Sequence, residues 1–191
     1  MRVVGGTAGG IPLHVPKIDL RPTMDVVKNA IFNSLLEAIP GARVLDLFAG
    51  TGGLGIEALS RGAASCVFIE SDRRACESIR RNLEKTRLTG GEVICADALR
   101  WMERSVQAEA FDLILADPPY AKKKGERDFG RELLALPKLL PALAPGGIFV
   151  LEHLPDEPLP IGTEWECIRD KRYGATAVAF LRAAQPAPSV L

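Results

Sequence analysis

From residue 41 onward, short apolar segments alternate with longer amphipathic ones, and this alternation most constrains the fold. Five apolar segments predict strands, at residues 43–48, 66–70, 92–95, 111–116 and 147–152. Amphipathic segments predict helices at residues 54–61, 72–87, 98–106 and 128–140. Repeated strand–helix alternation builds a parallel sheet that helices cover on both faces. We therefore expect an α/β fold whose ligands bind beyond the carboxyl ends of the strands.

The two ends of the chain differ from this central pattern. The first 40 residues hold apolar pieces separated by glycines, followed by a predicted helix at residues 24–38. Near the other end, residues 165–171 and 175–181 predict an antiparallel pair, and Pro145-Gly146-Gly147 predicts the turn before the fifth strand. A length of 191 residues fits one domain. We expect this domain at residues 1–182, with an N-terminal extension at 1–40, a catalytic core at 41–182 and a flexible tail at 183–191.

Charge and composition narrow the class of protein. The 24 basic and 24 acidic side chains cancel, which argues against a grip on nucleic acid through bulk positive charge. The cancellation is uneven, however, because residues 120–131 hold five basic and two acidic side chains. The sequence therefore remains compatible with an RNA partner that binds at this local basic segment.

Neither a membrane segment nor a metal site is expected. No apolar run approaches the roughly 18 residues of a membrane span, and the N-terminus lacks the apolar core of a signal peptide. The cysteines contain no C-x-x-C pair, and His14 and His153 lie far apart. We expect a cytoplasmic protein with buried, reduced thiols at Cys66, Cys76, Cys95 and Cys167.

A glycine-rich loop follows the first predicted strand of the core. Gly50-Thr51-Gly52-Gly53-Leu54-Gly55 matches G-x-G-x-x-G, and Glu70 lies 20 residues after Gly50, at the end of the next strand. In dinucleotide sites an acid at that place holds a ribose diol. The loop alone does not separate NAD from other cofactors that contain adenosine.

Asp46, inside the first buried strand, favours one of these cofactors. A buried acid is costly unless it is paired. A dinucleotide brings a pyrophosphate here, which gains nothing from negative charge, whereas S-adenosylmethionine brings an ammonium and a sulfonium. Asp46 therefore favours the methyl donor. Asp97, at the end of the third strand, has two compatible interpretations, as an acceptor for the adenine amino group and as a helix N-cap.

A second loop, Asp117-Pro118-Pro119-Tyr120, follows the fourth strand. The two prolines remove two backbone donors and stiffen the chain, which leaves carbonyl acceptors beside a carboxylate and an aromatic ring. Such a set suits the amino group of a nucleobase, because accepting its hydrogens draws the nitrogen towards tetrahedral geometry. Tyr120 is expected to stack on the base, which has to be unpaired or flipped out to reach the loop.

With both loops in place, the chain resembles the class I S-adenosylmethionine-dependent methyltransferases. More narrowly, it resembles the bacterial 16S rRNA guanine-N2 methyltransferase family that acts on the guanine conventionally numbered 966. The resemblance runs from Arg2 to about Leu181. Besides the glycine loop, Glu70, Asp97 and the second loop, it is carried by Arg2-Val3-Val4-Gly5-Gly6, Leu20-Arg21-Pro22-Thr23, Asp25, Phe32-Asn33, Asp46-Leu47-Phe48-Ala49 and Arg172-Tyr173-Gly174.

The resemblance implies a Rossmann-like, seven-stranded, mostly parallel sheet with one antiparallel strand and helices on both faces. It implies transfer of a methyl group to the N2 amino group of a guanine in 16S rRNA, within a partly or fully assembled small ribosomal subunit. The implied cofactor residues are Asp46, Phe48, Gly50, Thr51, Gly52, Glu70, Asp97 and Ala98. The implied catalytic residues are Asp117, Pro118, Pro119 and Tyr120.

Basic residues near the second loop are the candidate RNA contacts. Lys122, Lys123 and Lys124 follow Tyr120 directly, and Arg127 and Arg131 come soon after. They are suited to hold phosphates beside a flipped base, although such runs are often only solvated surface. Ahead of the core, Arg21 and Thr23 are further candidates for substrate contact.

Other functions stay open at this point. An amino methyltransferase acting on adenine in DNA, or on another RNA, shares the second loop, but the DNA enzymes usually carry a further recognition region. Protein glutamine methyltransferases typically have Asn where this chain has Asp117. An NAD-linked oxidoreductase leaves Asp46 and the second loop unexplained. A non-catalytic ribosome-assembly binder is the remaining alternative.

Overall fold

A computed structural model describes residues 1–16, 25–121, 126–156 and 158–185. Its centre is one seven-stranded sheet with the strand order β3-β2-β1-β4-β5-β7-β6. The strands are β1 (Arg43–Leu47), β2 (Ser65–Glu70), β3 (Gly91–Cys95), β4 (Phe111–Ala116), β5 (Leu143–His153), β6 (Trp165–Tyr173) and β7 (Thr176–Ala183). Strands β1 to β5 pair in parallel, and β7 runs antiparallel to both of its neighbours, β5 and β6. The expected mostly parallel sheet with one antiparallel strand is confirmed.

Helices flank the sheet as the alternation predicted. They are α1 (Asp25–Ser34), α2 (Gly53–Ser60), α3 (Arg73–Thr86), α4 (Ala98–Arg104), α5 (Phe129–Leu134) and α6 (Leu139–Ala142). Three of them begin at an aspartate whose side chain accepts backbone N–H groups of the first turn: Asp72, Asp97 and Asp128. Within the described ranges, none of these helices has the length and apolar character needed to cross a membrane.

The central strands are buried on both faces, and this fixes where polar side chains can emerge. In β1, Val44 belongs to the apolar cluster on one face, whereas Leu45 and Leu47 belong to the cluster on the other. The chain places β2 and β3 on one side of β1, then crosses to β4 on the other. Ligands bind at such a switch in strand order, beyond the carboxyl ends. Here those ends belong to β1, β2 and β4.

Three sequence-based predictions need correction. The helix predicted at 128–140 is two short helices, because Pro137 disfavours helical geometry at the residue before it. Strand β5 begins at Leu143, so Pro145-Gly146-Gly147 is an irregularity within the strand instead of a turn before it; the register with β4 shifts there. Only two of the cysteines are buried, whereas Cys95 and Cys167 are exposed.

The N-terminal residues pack against the back of helix α2. Arg2 and Pro12 form an antiparallel bridge, and the buried Glu57 carboxylate accepts the N–H groups of Val4 at 2.7 Å and Gly5 at 2.8 Å. Lys28, fully buried in α1, lies 3.6 Å from the same carboxylate and donates to the carbonyl of Arg2. The extension is therefore tied to the helix whose first turn follows the glycine loop.

Candidate active site

The glycine loop turns sharply between β1 and α2. Phe48, Gly50 and Gly52 all have positive φ, at 56°, 55° and 80°, a region that glycine enters without steric cost. A Cβ added to Gly50 would meet no atom within 4 Å, so the loop faces open space at this point. At Gly55 a Cβ would lie 2.3 Å from the Phe68 ring. Glycine there lets helix α2 pack closely on the sheet.

Asp46 points from β1 towards the first turn of α2. Its side chain is 1 % exposed, and Oδ2 accepts the backbone N–H of Gly55 at 2.9 Å. The pKa of Asp46 is raised to about 7, chiefly by burial and also by the charges of Asp117 and Glu70, against the lowering effect of the Gly55 bond. Three carboxylates therefore converge at the carboxyl ends of β1, β2 and β4.

Glu70 is held rigidly by its surroundings. Oε2 accepts the N–H of Gly50 at 2.8 Å, and Oε1 accepts the N–H of Asp72 at 2.8 Å and the Ser71 hydroxyl at 3.3 Å. These bonds tie the glycine loop to the end of β2. The carboxylate is thus preorganised as an acceptor at the mouth of the loop.

A cleft of about 370 Å³ opens beside Glu70, and we call it the glycine-loop cleft. It is lined by Phe48, Ile69, Glu70, Ser71, Ala96, Asp97, Ala98, Pro119 and Phe129. Phe48 and Phe129 meet edge to face, with ring centroids 5.4 Å apart. Asp97 lies in this wall and also accepts the N–H of Arg100 at 2.9 Å, so its predicted N-cap role is confirmed. Phe129 was missed, because nothing in its local sequence links it to the loop after β1.

The second loop separates this cleft from a neighbouring one. Pro118 is buried, Pro119 is exposed, and Asp117 is half-buried between them and the end of β4. Pro119 lines both clefts. The charge of Asp117 raises the pKa of Asp46 on one side and of Tyr120 on the other. Asp117 therefore lies near both Asp46 and Tyr120, directly before the proline pair that borders the two clefts.

Tyr120 is anchored through its hydroxyl group. The phenol oxygen lies 2.8 Å from Glu152 Oε1 in β5 and 2.6 Å from Thr176 Oγ1 in β7. Burial, together with the nearby Glu152 charge, raises the pKa of Tyr120, so the phenol stays protonated at neutral pH. The hydroxyl is thus occupied in fixing the ring. Sequence reasoning missed Glu152 and Thr176, although Glu152 repeats the pattern of Asp46 and Glu70, an acid in the last half of a buried strand.

The second cleft, which we call the tyrosine cleft, has a volume of about 420 Å³. Its walls are Pro118, Pro119, Tyr120, Ala121, Asp128, Gly130, Arg131, Glu152, His153, Leu154, Pro158 and Leu159. Glu152 is 7 % exposed, and burial raises its pKa. The cleft combines an aromatic ring, a stiff proline pair and a carboxylate.

Most of the predicted RNA contacts lie outside the described residues: Arg21, Thr23, Lys122, Lys123 and Lys124. Arg127 is described, and its guanidinium donates to both carboxylate oxygens of Glu132 at 2.7 and 2.6 Å. It also covers the ring of Phe129 at 4.7 Å from the centroid. Arg127 is therefore placed at the outer rim of the glycine-loop cleft. Across the described ranges, no group of three or more His, Cys, Asp and Glu side chains is arranged to hold a metal ion.

Comparison with known proteins adds to this geometry. The family model described as "Conserved hypothetical protein 95" matches residues 1–182. The chain is 38 % identical over 187 residues to "Putative rRNA methyltransferase YlbH" of Bacillus subtilis, covering 95 % of this chain and 98 % of the relative. It is 32 % identical over 179 residues to "Ribosomal RNA small subunit methyltransferase D" of Escherichia coli, covering 93 % and 87 %. A solved structure, "Putative methyltransferase yhhF" of Escherichia coli, superposes with a TM-score of 0.79 at 27 % identity, covering 97 % and 99 %.

Proposed function

Because the chain belongs to the family described as conserved hypothetical protein 95, we propose that it is an S-adenosylmethionine-dependent rRNA methyltransferase. Its substrate is the N2 amino group of a guanine in the 16S rRNA of the small ribosomal subunit, partly or fully assembled. Relatives that cover most of the chain carry the names of rRNA methyltransferases. A ribosomal substrate implies that the protein works in the cytoplasm.

The observation that carries the proposal is the convergence of Asp46, Glu70 and Asp117 beside an open glycine loop. Buried carboxylates repel one another, and this repulsion is part of what raises the pKa of Asp46. A ligand with an ammonium and a sulfonium relieves the repulsion, whereas the pyrophosphate of a dinucleotide adds to it. The residues present therefore fit S-adenosylmethionine, and they disfavour NAD.

The walls of the glycine-loop cleft suit the adenosine part of that cofactor. Glu70 is the acceptor for the ribose hydroxyls, because Gly50 and Asp72 already fix its orientation. Phe48 and Phe129 offer apolar faces to the adenine, and Asp97 lies beside Ala98 as an acceptor for its amino group. Gly50, Thr51 and Gly52, together with Asp46, would hold the methionine part.

The second loop binds the amino group of the target base. S-adenosylmethionine supplies an electrophilic methyl group when it is bound. Asp117 and a prolyl carbonyl accept the hydrogens of the guanine amino group. The bond to the Asp117 carboxylate is charge-assisted and contributes about 1.5–3 kcal/mol, whereas the neutral bond to the carbonyl contributes about 0.5–1.5 kcal/mol. The nitrogen lone pair is thereby aimed at the methyl carbon. On methylation the amino group would have one proton to lose, and Asp117 would be the acceptor for that proton on the loop.

The tyrosine cleft receives the base that this chemistry needs. Tyr120 is held by Glu152 and Thr176, so its ring cannot swing away when a base arrives. Stacking on an aromatic ring contributes about 1–3 kcal/mol per base. A base inside a duplex cannot reach the cleft, so the target guanine is unpaired or flipped out.

Methyl transfer from a labelled donor tests this proposal. Purified protein is incubated separately with small ribosomal subunits, naked 16S rRNA, DNA and a protein extract free of ribosomes, and incorporation of the label is counted in each. We expect label in the ribosomal substrates alone. Label in DNA or in protein would show that the substrate is not ribosomal RNA. Binding of small subunits without methyl transfer would favour the non-catalytic role in ribosome assembly.

A further inference from the structure

The two carboxylate oxygens of Glu152 differ in their hydrogen bonding. Oε1 lies 2.8 Å from the Tyr120 hydroxyl and 2.9 Å from the Thr176 hydroxyl, and these two hydroxyls, themselves 2.6 Å apart, share their two protons among the three oxygens. Oε2 is buried and has no hydrogen-bond partner among the described residues. A buried acceptor without a donor is rare, because its lost hydration is not replaced. Such an atom marks a place where a ligand donor is missing.

The position of Glu152 indicates which ligand this is. The residue lines the tyrosine cleft together with Pro119 and Tyr120, the residues that are proposed to hold the target base. Because Oε1 is occupied by the Tyr120 and Thr176 hydroxyls, Oε2 is the oxygen that remains to accept from a ligand in this cleft. Enzymes that flip a base read it by hydrogen bonds to its Watson–Crick edge. On guanine that edge carries the N1–H donor directly beside the N2 amino group.

We propose that Glu152 is a specificity-determining residue, which accepts the N1–H of the target guanine through Oε2 while Asp117 holds the neighbouring amino group. This inference rests on the proposed function. It explains why an acid, and not another acceptor, stands at this place in β5. Adenine presents an unprotonated N1 at the same position, and two facing acceptors repel each other. The carboxylate therefore selects guanine over adenine.

A purely structural role for Glu152 makes a different prediction. If the residue serves only to anchor Tyr120 and Thr176, its loss harms every base that stacks on Tyr120 by the same factor. A specificity role acts only on substrates that carry N1–H. The base 2-aminopurine separates the two roles, because it keeps the exocyclic amino group but has an unprotonated N1.

The experiment uses small subunits reconstituted with rRNA that carries guanine or 2-aminopurine at the position methylated by the wild-type protein. For the wild type we expect kcat/KM on 2-aminopurine to be lower by about 10-fold or more, the loss of one charge-assisted hydrogen bond. For Glu152→Gln we expect this preference to disappear, because the amide can donate to the unprotonated N1. Thr176→Val, which disturbs the Tyr120 anchor from the other side, is expected to lower both activities and keep the preference.

Each outcome of this experiment either supports or overturns the proposed role of Glu152. A wild type that methylates both bases equally, or a Glu152→Gln variant that keeps the wild-type preference, overturns the role of Glu152 and leaves the proposed methyltransferase intact. A wild type that methylates no guanine of native small subunits, and so leaves no position to substitute, contradicts the proposed function itself. Loss of the preference in Glu152→Gln, with its retention in Thr176→Val, supports the inference.

Discussion

Asp46 Oδ2 accepts the backbone N–H of Gly55 at 2.9 Å, which ties an acid in the first strand to the first turn of the helix after the glycine loop. This bond stabilises the ionised form, but burial and the neighbouring charges of Asp117 and Glu70 outweigh it. The protein thus keeps an acidic side chain in a buried position where ionisation is unfavourable. We infer that the stability lost there is recovered when a cationic ligand binds.

Replacing Asp46 with Asn is therefore expected to stabilise the ligand-free protein and to weaken the cofactor. The folded pKa of about 7 lies above the unfolded value of 3.8, so the folded state binds more protons between these limits. Its free energy of unfolding consequently falls as the pH rises from about 4 to about 7. We expect Asp46→Asn to flatten this slope and to raise the melting temperature at about pH 8.

Calorimetric titration gives the matching effect on binding. Affinity for S-adenosylmethionine is expected to rise with pH through about 7 in the wild type, because the cation prefers ionised Asp46. In Asp46→Asn we expect affinity at least about 10-fold lower at pH 8, a loss of about 1.4 kcal/mol. Wild-type affinity in the variant would remove Asp46 from the cofactor site.

Asp117→Ala tests the second loop separately from the first. We expect methyl transfer to fall by about 100-fold or more while cofactor affinity stays nearly unchanged, as happens when a preorganised polar partner of the reacting group is lost. Single-turnover rates measure the first quantity and calorimetry the second. Pro145→Ala, in an irregular part of β5 that lines neither cleft, is the matched control. Full activity in Asp117→Ala would exclude the residue from the mechanism.

Glu57→Ala tests the attachment of the N-terminal extension. The Glu57 carboxylate accepts two backbone N–H groups and contacts both Lys28 and Arg61, and its side chain is fully buried. Its removal leaves the fully buried Lys28 without this carboxylate, which costs about 3–5 kcal/mol. Urea unfolding measures the loss. The double variant with Lys28→Met should regain part of it, and an unchanged midpoint in Glu57→Ala would refute a stabilising network.

The lysine triplet at residues 122–124 is tested through the salt dependence of RNA binding. Each phosphate contact to single-stranded RNA adds about 0.7 to the slope of log affinity against log salt. We expect replacement of all three lysines with alanine to weaken binding and to reduce the slope by about 2. Lys138→Ala, at an exposed position before α6, serves as control. An equal slope in the triple variant would assign the triplet to solvated surface.

Much of the sheet followed directly from the sequence. Strands that are buried on both faces form nearly unbroken apolar runs, and β4 was predicted to the residue. Aspartates at helix starts were equally readable, as Asp72, Asp97 and Asp128 show. The two corrected secondary-structure predictions lie in residues 128–147, where prolines and glycines allow several local conformations and tertiary packing chooses among them.

The candidate site also contains some residues that the sequence predicted and others that it did not. Asp46, Glu70 and Asp117 were predictable because each lies inside an apolar run, or directly at its end, where the run leads into a loop. Phe129, Glu152 and Thr176 were not, since they reach the site from elements distant in the sequence. Only the order of strands in the sheet reveals that β5 and β7 supply the support for Tyr120.

The most direct test of the central claim is the chemical identity of the product. Small subunits are incubated with the wild-type protein and labelled S-adenosylmethionine, and the rRNA is digested to nucleosides for mass analysis, with Asp117→Ala in parallel. We predict one labelled nucleoside, N2-methylguanosine, which is nearly absent with the variant. Label in methylated adenosine, or on a guanine atom other than N2, would contradict the account.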